Sequence, residues 1–296
     1  MAVLRSITMR NYRRYQGEVE LELGDDVTVI SMPLGNGKTT VLEAITWCLF
    51  GSGAADTSEI ANAQEMCRGG AEVMVALGFE GGARLERSAS CPADGGAEAQ
   101  NIRWSLVDQN GKAAQGRPND EDEFIDLQEE LFPNACAYSN LVSGPGLMGG
   151  SGRIEKAVMA SGEWCCTDLP LRAGAQATAL FFEACPSSMI DLVAYDPIGR
   201  PEVGIDPGGE VEAQEVQMAL LAHSLGFIKA HDRDGNCPIF LDDPFHGMGA
   251  ELKGRALRAM LNFFEGRQVI FLLSDPSEVE ALRAAGAVDK ELEIWG

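Results

Sequence analysis

Apolar and polar residues alternate along much of the first 32 residues. Val3–Met9 and Val19–Leu23 place apolar side chains at every second position, which is typical of strands with one buried face. Val27–Ile30 is almost entirely apolar and β-branched, as in a strand buried on both faces. It leads through a glycine-rich loop into Thr40–Phe50, whose apolar spacing predicts a helix. The start of the chain therefore predicts a strand, a loop and a helix in succession.

The same patterns predict further elements on both sides of a glycine-rich break at Ser143–Gly152. Predicted strands cover Val73–Phe79, Leu85–Ser90, Asn101–Val107, Ile190–Tyr195, Glu202–Ile205, Ile239–Leu241 and Val269–Leu273. Predicted helices cover Glu121–Leu131, Ala175–Cys185, a segment ending near Ala230, and Glu251–Phe264. This mixture of strands and helices predicts an α/β fold.

The loop after the first buried strand has the residues of a phosphate-binding loop. Its sequence is Gly35-Asn36-Gly37-Lys38-Thr39-Thr40. Glycines let backbone N–H groups wrap phosphates, while Lys38 would reach the terminal phosphates of ATP and the Thr39 hydroxyl would hold Mg²⁺. The pattern GxxxxGK[ST] would begin at residue 32, which is Met32. The alternative is an ordinary glycine-rich loop followed by a chance Lys-Thr pair.

A second acidic motif follows the strand predicted at Ile239–Leu241. Asp242 and Asp243 come directly after this apolar run, which is typical of a Walker B element. Asp242 would hold Mg²⁺ through water, and Asp243 would orient or deprotonate the attacking water as the catalytic residue beside Lys38. Alone, the motif is weak, because many strands end in acidic turns. The distance from residue 38 to residue 242 excludes a compact P-loop kinase or small GTPase.

The charge of the chain bears on its partners. Lys and Arg number 23 and Asp and Glu 45, for a net charge of −22, which disfavours bulk electrostatic binding of nucleic acid. A local basic strip at residues 1–17 carries four arginines and no acid. No apolar run reaches the roughly 20 residues of a membrane span, and Arg5 and Arg10 interrupt any signal-peptide pattern. A cytoplasmic protein is expected, with its eight cysteines reduced.

These motifs and their flanks resemble a known class of ATPases. The opening LRSITMRNYRRYQGEVELEL and VTVISMPLGNGKTTVLEAITWCLFG resemble the N-terminal half-head of SMC, SbcC and RecF proteins, and PIFLDDPFHGMG with RQVIFLLSDPSEVE resembles the C-terminal half. Within the class, DndD-type proteins of DNA sulfur modification are the most similar, since their last strand also lacks the usual histidine.

The resemblance implies a fold and a domain plan. The fold would be an ABC-type ATPase head with a mixed central sheet, an antiparallel β subdomain and a helical lobe. Residues 1–147 and 170–296 would form the two half-heads of one composite domain. Residues 148–169 would be a short linker where the family has a coiled coil, either because this relative naturally lacks the coil or because Met148–Arg153 is an engineered replacement.

The resemblance also implies further site residues. Gly208 and Gly209 match the ABC signature, although Pro207 replaces its serine; read alone, this stretch is a turn before a helix. Arg13 and Arg14 match a segment near the nucleotide, or else lie on the plain surface of an edge strand. Ser274 and Asp275 stand where a histidine is usual, and Asp275 would either face the γ-phosphate or cap a helix. No glutamine occupies the expected Q-loop near Asn140–Ser143.

Two functions follow, from different classes. The first is an ATPase that forms a homodimer around Mg-ATP and drives or regulates a DNA-processing, DNA-modification or defence complex, with DNA contacted through the basic strip. The second is a nucleotide-switched scaffold with little turnover that binds a protein partner. Met32, Pro207, Asp275 and the use of Asp243 instead of Glu favour the second. A small-molecule kinase would need an arginine-rich lid, which the sequence lacks.

Overall fold

The structure is a computed structural model. It describes residues 3–33, 35–50, 60–92, 100–108, 110–116, 141–143, 193–195, 201–203 and 237–294, together with isolated helical positions between 214 and 229. The segments 51–59, 117–140, 144–192 and 204–213 lie outside these ranges. The predicted helices Glu121–Leu131 and Ala175–Cys185, the proposed linker at 148–169 and the signature-like glycines therefore stay predictions.

The described elements are thirteen strands and four α-helices with defined bounds. The strands are β1 (Leu4–Arg10), β2 (Glu18–Glu22), β3 (Val27–Ser31), β4 (Gly70–Phe79), β5 (Arg84–Pro92), β6 (Gln100–Val107), β7 (Ala113–Gly116), β8 (Leu141–Ser143), β9 (Val193–Tyr195), β10 (Pro201–Val203), β11 (Ile239–Asp242), β12 (Val269–Leu273) and β13 (Lys290–Glu293). The α-helices with defined bounds are α1 (Lys38–Phe50), α2 (Ala63–Cys67), α3 (Ala250–Phe263) and α4 (Pro276–Ala284).

A five-stranded sheet joins strands from both ends of the sequence. Its order is β13-β3-β12-β11-β8, and every pairing is parallel. β3 from the start of the chain thus lies between β12 and β13 from its end. Because all five strands run in the same direction, their carboxyl ends meet at one edge, where ligands bind in open α/β sheets.

A second sheet is antiparallel, with the order β2-β1-β4-β5-β6-β7. β4 and β5 form a long hairpin around Glu80–Gly82, where Gly81 and Gly82 adopt φ of 78° and 86°. These left-handed values favour glycine, because it lacks a β-carbon. β9 and β10 form a separate antiparallel pair. The predicted α/β P-loop fold with an antiparallel subdomain is confirmed; the parallel and antiparallel strands occupy separate sheets here.

Helix α1 packs between the two sheets, and apolar side chains surround it. One core cluster joins α1 to the antiparallel sheet and to Ile30, Phe240, Ile270 and Leu272 of the central sheet. The opposite face of the central sheet packs on α3, α4 and the helical positions from Met218 to Ile228. Burial of β3, β11 and β12 on both faces explains their continuous apolar sequences.

One buried amide ties the first strand to the central sheet. Gln268 lies directly before β12, and its Oε1 accepts a hydrogen bond from the Leu4 backbone N–H at 3.0 Å. Its Nε2 donates to the carbonyls of Leu4 and Gly24, both at 2.7 Å. The side chain thus hydrogen-bonds three backbone groups of the first 24 residues and helps to fix how the two sheets meet.

We expect Gln268→Ala to destabilise the protein by roughly 2 to 4 kcal/mol, because each buried backbone group left unpaired costs about 1 to 3 kcal/mol. The free energy of unfolding is measured by urea titration with tryptophan fluorescence. Gln115→Ala, on the exposed end of β7, is the matched control and should change little. Equal stability of the two variants would contradict this role of Gln268.

Candidate nucleotide-binding site

The predicted phosphate-binding loop connects β3 to α1 at the carboxyl edge of the central sheet. Gly35 and Gly37 have φ of 84° and 100°, a region that only glycine enters without strain. The Val41 N–H donates to the Gly37 carbonyl at 3.2 Å, which begins α1 directly after the loop. The first-turn N–H groups of α1 have no partner within the helix, so the loop and helix start can accept an anion.

Met32 does not distort the entry of this loop. Its φ lies outside the left-handed region, and its N–H donates to the Leu273 carbonyl at 3.0 Å. Its side chain is buried in the core cluster beneath the loop. A residue with a β-carbon fits at this position because the backbone there needs no positive φ.

The two acidic residues after β11 meet the loop, as the parallel pairing requires. Asp242 is opposite Leu272 in the β11–β12 register. The Thr39 hydroxyl donates to Asp242 Oδ2 at 3.3 Å. Lys38 Nζ lies 2.7 Å from Asp243 Oδ2, and both side chains are buried. The Walker-type motifs thus form one cluster, although 203 residues separate Thr39 from Asp242.

Asp243 is held more firmly than a free carboxylate would be. Its Oδ1 accepts hydrogen bonds from the Ser274 N–H at 2.8 Å and from the Ser274 hydroxyl at 3.0 Å. The backbone at Asp243 has φ of 41°, a left-handed conformation that is uncommon outside glycine and is concentrated at functional sites. Ser274 therefore acts here as a partner of Asp243.

Lys38 has bonding capacity left for a ligand. Its ion pair with Asp243 lacks the alignment of a hydrogen bond, and Nζ makes no aligned hydrogen bond among the described residues. The Lys38 side chain is only 6% exposed. A buried ammonium with unused N–H groups fits an anionic group such as a phosphate placed over the loop.

Thr39 and Asp242 suit magnesium. A hydroxyl and a carboxylate oxygen lie 3.3 Å apart, and Mg²⁺ is usually held by one or two protein oxygens together with waters and phosphates. Within the described residues, no group of three or more His, Cys, Asp or Glu side chains could hold a metal on its own. The donor set therefore fits a metal that arrives with a phosphate ligand.

Asp275 caps α4, the second of its two predicted roles. It accepts hydrogen bonds from the Ser277 N–H at 2.9 Å and from Lys253 Nζ at 2.9 Å. The hydrogen bonds from Ser277, followed by that from Lys253, lower the pKa of Asp275 to about 2. Burial raises the pKa of neighbouring Glu278, which also pairs with Lys253 at 2.6 Å. The positive charge of the Lys253 ammonium offsets the negative charge of the Asp275 carboxylate.

The arginines of the basic strip are largely neutralised. Arg5 pairs with Asp25 and Glu80, and Arg10 pairs with Glu18. Arg13 pairs with Glu43 of α1 at 3.0 Å, with both side chains less than one-fifth exposed. The strip therefore does not present four free cations. Although residues 1–17 contain no acid, the fold brings acids from other parts of the chain next to Arg5, Arg10 and Arg13.

Arg14 differs from the other three arginines. Among the described residues it has no carboxylate partner. Its Nη1 lies 3.9 Å from the point where a β-carbon would stand on Gly35. Of the two arginines predicted near the nucleotide, Arg14 is beside the loop, whereas Arg13 is held against α1.

Of the remaining predicted site residues, two lie in the described part of the chain and two outside it. Asn36 forms part of the loop turn, donating its N–H to the Pro33 carbonyl at 3.1 Å, and Thr40 is buried in the first turn of α1. Gly208 and Gly209 lie outside the described residues.

The expected Q-loop position coincides with β8, whose Ser143 is opposite Asp242 in the parallel register. The role of Ser274 as an anchor for Asp243 was missed, since only the fold brings the two together.

Solved structures match nearly the whole chain. An SMC head domain from Thermotoga maritima aligns with a TM-score of 0.57 and 16% identity over 99% of this chain and 95% of that one. This chain has the fold of an SMC head domain. An Smc head domain bound to the C-terminal domain of ScpA, from Pyrococcus furiosus, also has a TM-score of 0.57, with 13% identity, and covers 95% of this chain and 92% of that chain.

Sequence comparisons match mainly the part that carries the phosphate-binding loop. Residues 6–140 match the family described as AAA domain. Arcadin-4 of Pyrobaculum calidifontis is 30% identical over 135 residues, which are 45% of this chain and 16% of that protein. Chromosome partition protein Smc of Desulfitobacterium hafniense is 41% identical over 46 residues, 16% of this chain and 4% of that protein. The chain thus spans less than one-fifth of these relatives. Similarity to DndD-type proteins stays a prediction.

Within the described residues, no helix is long and apolar enough to cross a membrane.

We expect a double-mutant cycle on Lys38 and Asp243 to show strong coupling. Lys38→Met and Asp243→Asn should each destabilise the nucleotide-free protein by roughly 3 to 5 kcal/mol, because each leaves the partner charge buried and unpaired. The double variant should cost clearly less than the sum, as measured by urea denaturation. The exposed pair Arg283 and Glu291 is the control and should show little coupling. Additive effects at Lys38 and Asp243 would contradict the buried pair.

Proposed function

We propose that the chain binds Mg-ATP at the loop Gly35–Thr40 and hydrolyses it as an SMC-like head. The observation that carries the proposal is the meeting of Thr39 with Asp242 and of Lys38 with Asp243 at one sheet edge. A lysine, a hydroxyl and two carboxylates around a glycine loop and a helix N-terminus match the needs of phosphoryl transfer to water. The fold of an SMC head supports this reading.

Each residue has a defined part in this proposal. Lys38 leaves its ion pair with Asp243 and contacts the terminal phosphates, because phosphate oxygens offer its ammonium more acceptors than one carboxylate does. Gly35, Asn36 and Gly37 wrap the phosphates with backbone N–H groups, and Arg14 adds a cation beside them. Thr39 and Asp242 would hold Mg²⁺, which neutralises charge developing on the phosphate oxygens when it is bound.

Asp243 is the proposed base for the attacking water. While it pairs with Lys38 and Ser274, its oxygens are occupied. Movement of Lys38 to the phosphates removes one of these partners, and Asp243 can then accept a hydrogen bond from water. The Ser274 hydroxyl keeps the carboxylate oriented, as a third group does for catalytic bases in general.

The proposed assembly is a homodimer around the nucleotide. Gly208 and Gly209 of a second copy would complete each site, with a helix N-terminus directed at the γ-phosphate. One of the solved structures named above is an Smc head domain bound to the C-terminal domain of ScpA. By analogy, the chain would act with a protein partner in a DNA-processing, DNA-modification or defence complex in the cytoplasm.

The switched scaffold with little turnover is the second candidate. It is favoured by the confinement of Asp243, whose carboxylate carries three hydrogen-bonding contacts from Ser274 in addition to the Lys38 ion pair. Aspartate is also one methylene shorter than the glutamate that the family resemblance leads us to expect. In this case ATP binding would close the dimer, and a partner rather than hydrolysis would reopen it.

Steady-state ATPase activity with Mg²⁺ tests both candidates, together with light scattering to follow ATP-dependent dimerisation. We expect measurable turnover in the wild type and a loss of at least about 100-fold in Lys38→Ala and in Asp243→Ala, since each removes a charge needed in the transition state. Arg283→Ala, on the exposed face of α4, is the control and should retain activity.

Asp243→Glu separates the two candidates. For the hydrolytic head it should lower turnover, because the longer side chain no longer fits between Lys38 and Ser274. For the scaffold, ATP should dimerise a wild type with no turnover, and the glutamate should increase hydrolysis. A wild type that binds no nucleotide would contradict both functions.

A further inference from the structure

A tyrosine outside the predicted motifs contacts both ends of the phosphate-binding loop. The Tyr15 hydroxyl oxygen lies 3.2 Å from the Gly37 carbonyl oxygen and 3.6 Å from the Met32 sulfur. Gly37 is the last residue before α1, and Met32 is the first residue of the eight-residue loop pattern. One phenol therefore joins the two ends of the loop.

The contact with Gly37 restrains the point where the loop becomes a helix. The Gly37 carbonyl accepts the Tyr15 hydroxyl and also the Val41 N–H, the first hydrogen bond of α1. A β-carbon at Gly37 would stand 3.4 Å from the Tyr15 hydroxyl oxygen and 3.6 Å from its ring. The ring thus lies directly against this residue, whose neighbour Lys38 supplies the ammonium of the site.

The contact with Met32 fills space below the loop. Both residues belong to the same core cluster, and Met32 is 2% exposed and Tyr15 7%. Burial raises the pKa of Tyr15 to about 12, which keeps its hydroxyl protonated and able to donate at neutral pH. A thioether is flexible and packs well against an aromatic ring. The Met32 sulfur therefore contacts the hydroxyl end of the buried Tyr15 side chain.

We propose that Tyr15 is a positioning residue for the nucleotide site and that it acts as a unit with Met32. Met32 fills the place of the glycine usual at the start of the loop, and its sulfur contacts the Tyr15 hydroxyl. The Tyr15 hydroxyl in turn fixes the Gly37 carbonyl, and with it the direction of the first N–H groups of α1. This inference rests on the proposed binding of ATP at Gly35–Thr40.

The inference leads to an unusual expectation for Met32→Gly. This substitution restores the glycine of the common pattern, yet it should weaken nucleotide binding, because it removes the buried side chain that contacts the Tyr15 hydroxyl. Met32→Leu keeps most of the volume and should retain affinity. If Met32 were merely a tolerated departure, the glycine variant would bind as tightly as the wild type or more tightly.

The test measures equilibrium binding of a fluorescent ATP analogue with Mg²⁺. Tyr15→Phe keeps the ring and removes one hydrogen bond, so it should raise Kd by roughly 3- to 10-fold, the range for a single neutral hydrogen bond. Met32→Gly should raise Kd at least as much. The double variant Tyr15→Phe/Met32→Gly should be no weaker than Met32→Gly alone, since the two residues act together.

Hydrogen exchange without nucleotide gives a readout that does not depend on binding. In Tyr15→Phe, amide exchange should speed up in the first turn of α1, while β12 keeps its protection. Normal exchange there, together with unchanged Kd in Tyr15→Phe, would overturn the role of Tyr15. Tighter binding by Met32→Gly would overturn the role of Met32. If Lys38→Ala loses binding and Tyr15→Phe does not, the proposed function stands and this inference fails.

Discussion

The structure depends on the parallel pairing of β3, β12 and β11. Their registers place Leu273 opposite Ser31 and Leu272 opposite Asp242, so the three strands end side by side. This alignment brings together the candidate site residues that directly follow the three strands. The loop from β3 supplies Lys38, β11 continues into Asp243, and β12 continues into Ser274. A shift of register by one residue would separate these groups.

Burial of the site follows from the same arrangement. Because α1 packs between two sheets, Lys38 begins a helix that is enclosed by apolar side chains. A lysine there needs a counter-charge, and Asp243 supplies it at 2.7 Å. Lys38, Asp243 and Ser274 thus form a buried network of contacts. A phosphate can open it by offering Lys38 a better partner, which would link ligand binding to release of the proposed base.

Local patterns in the sequence predicted most of the described fold. The strands predicted from continuous apolar runs at β3, β11 and β12 are confirmed, as are the strands predicted at β1, β2, β4 and β5 and the Asp275 cap. β7, β8 and β13 were missed, because Ala113–Gly116 and Lys290–Glu293 carry little apolar pattern and Leu141–Ser143 is only three residues long. The ion pairs of Arg5, Arg10 and Arg13 and the anchoring of Asp243 by Ser274 were also missed, since they depend on contacts between distant segments. Tyr15 lacked any signal beyond its aromatic character.

The central claim is that the edge formed by β3, β11 and β12 binds the phosphates of ATP. A crystal structure with Mg²⁺ and a non-hydrolysable ATP analogue tests it most directly. We expect phosphates against the backbone of Gly35–Thr39, with Lys38 moved from Asp243 to a phosphate oxygen and Asp243 still bonded to Ser274. A nucleotide bound elsewhere, or Lys38 still paired with Asp243 in the complex, would contradict the account.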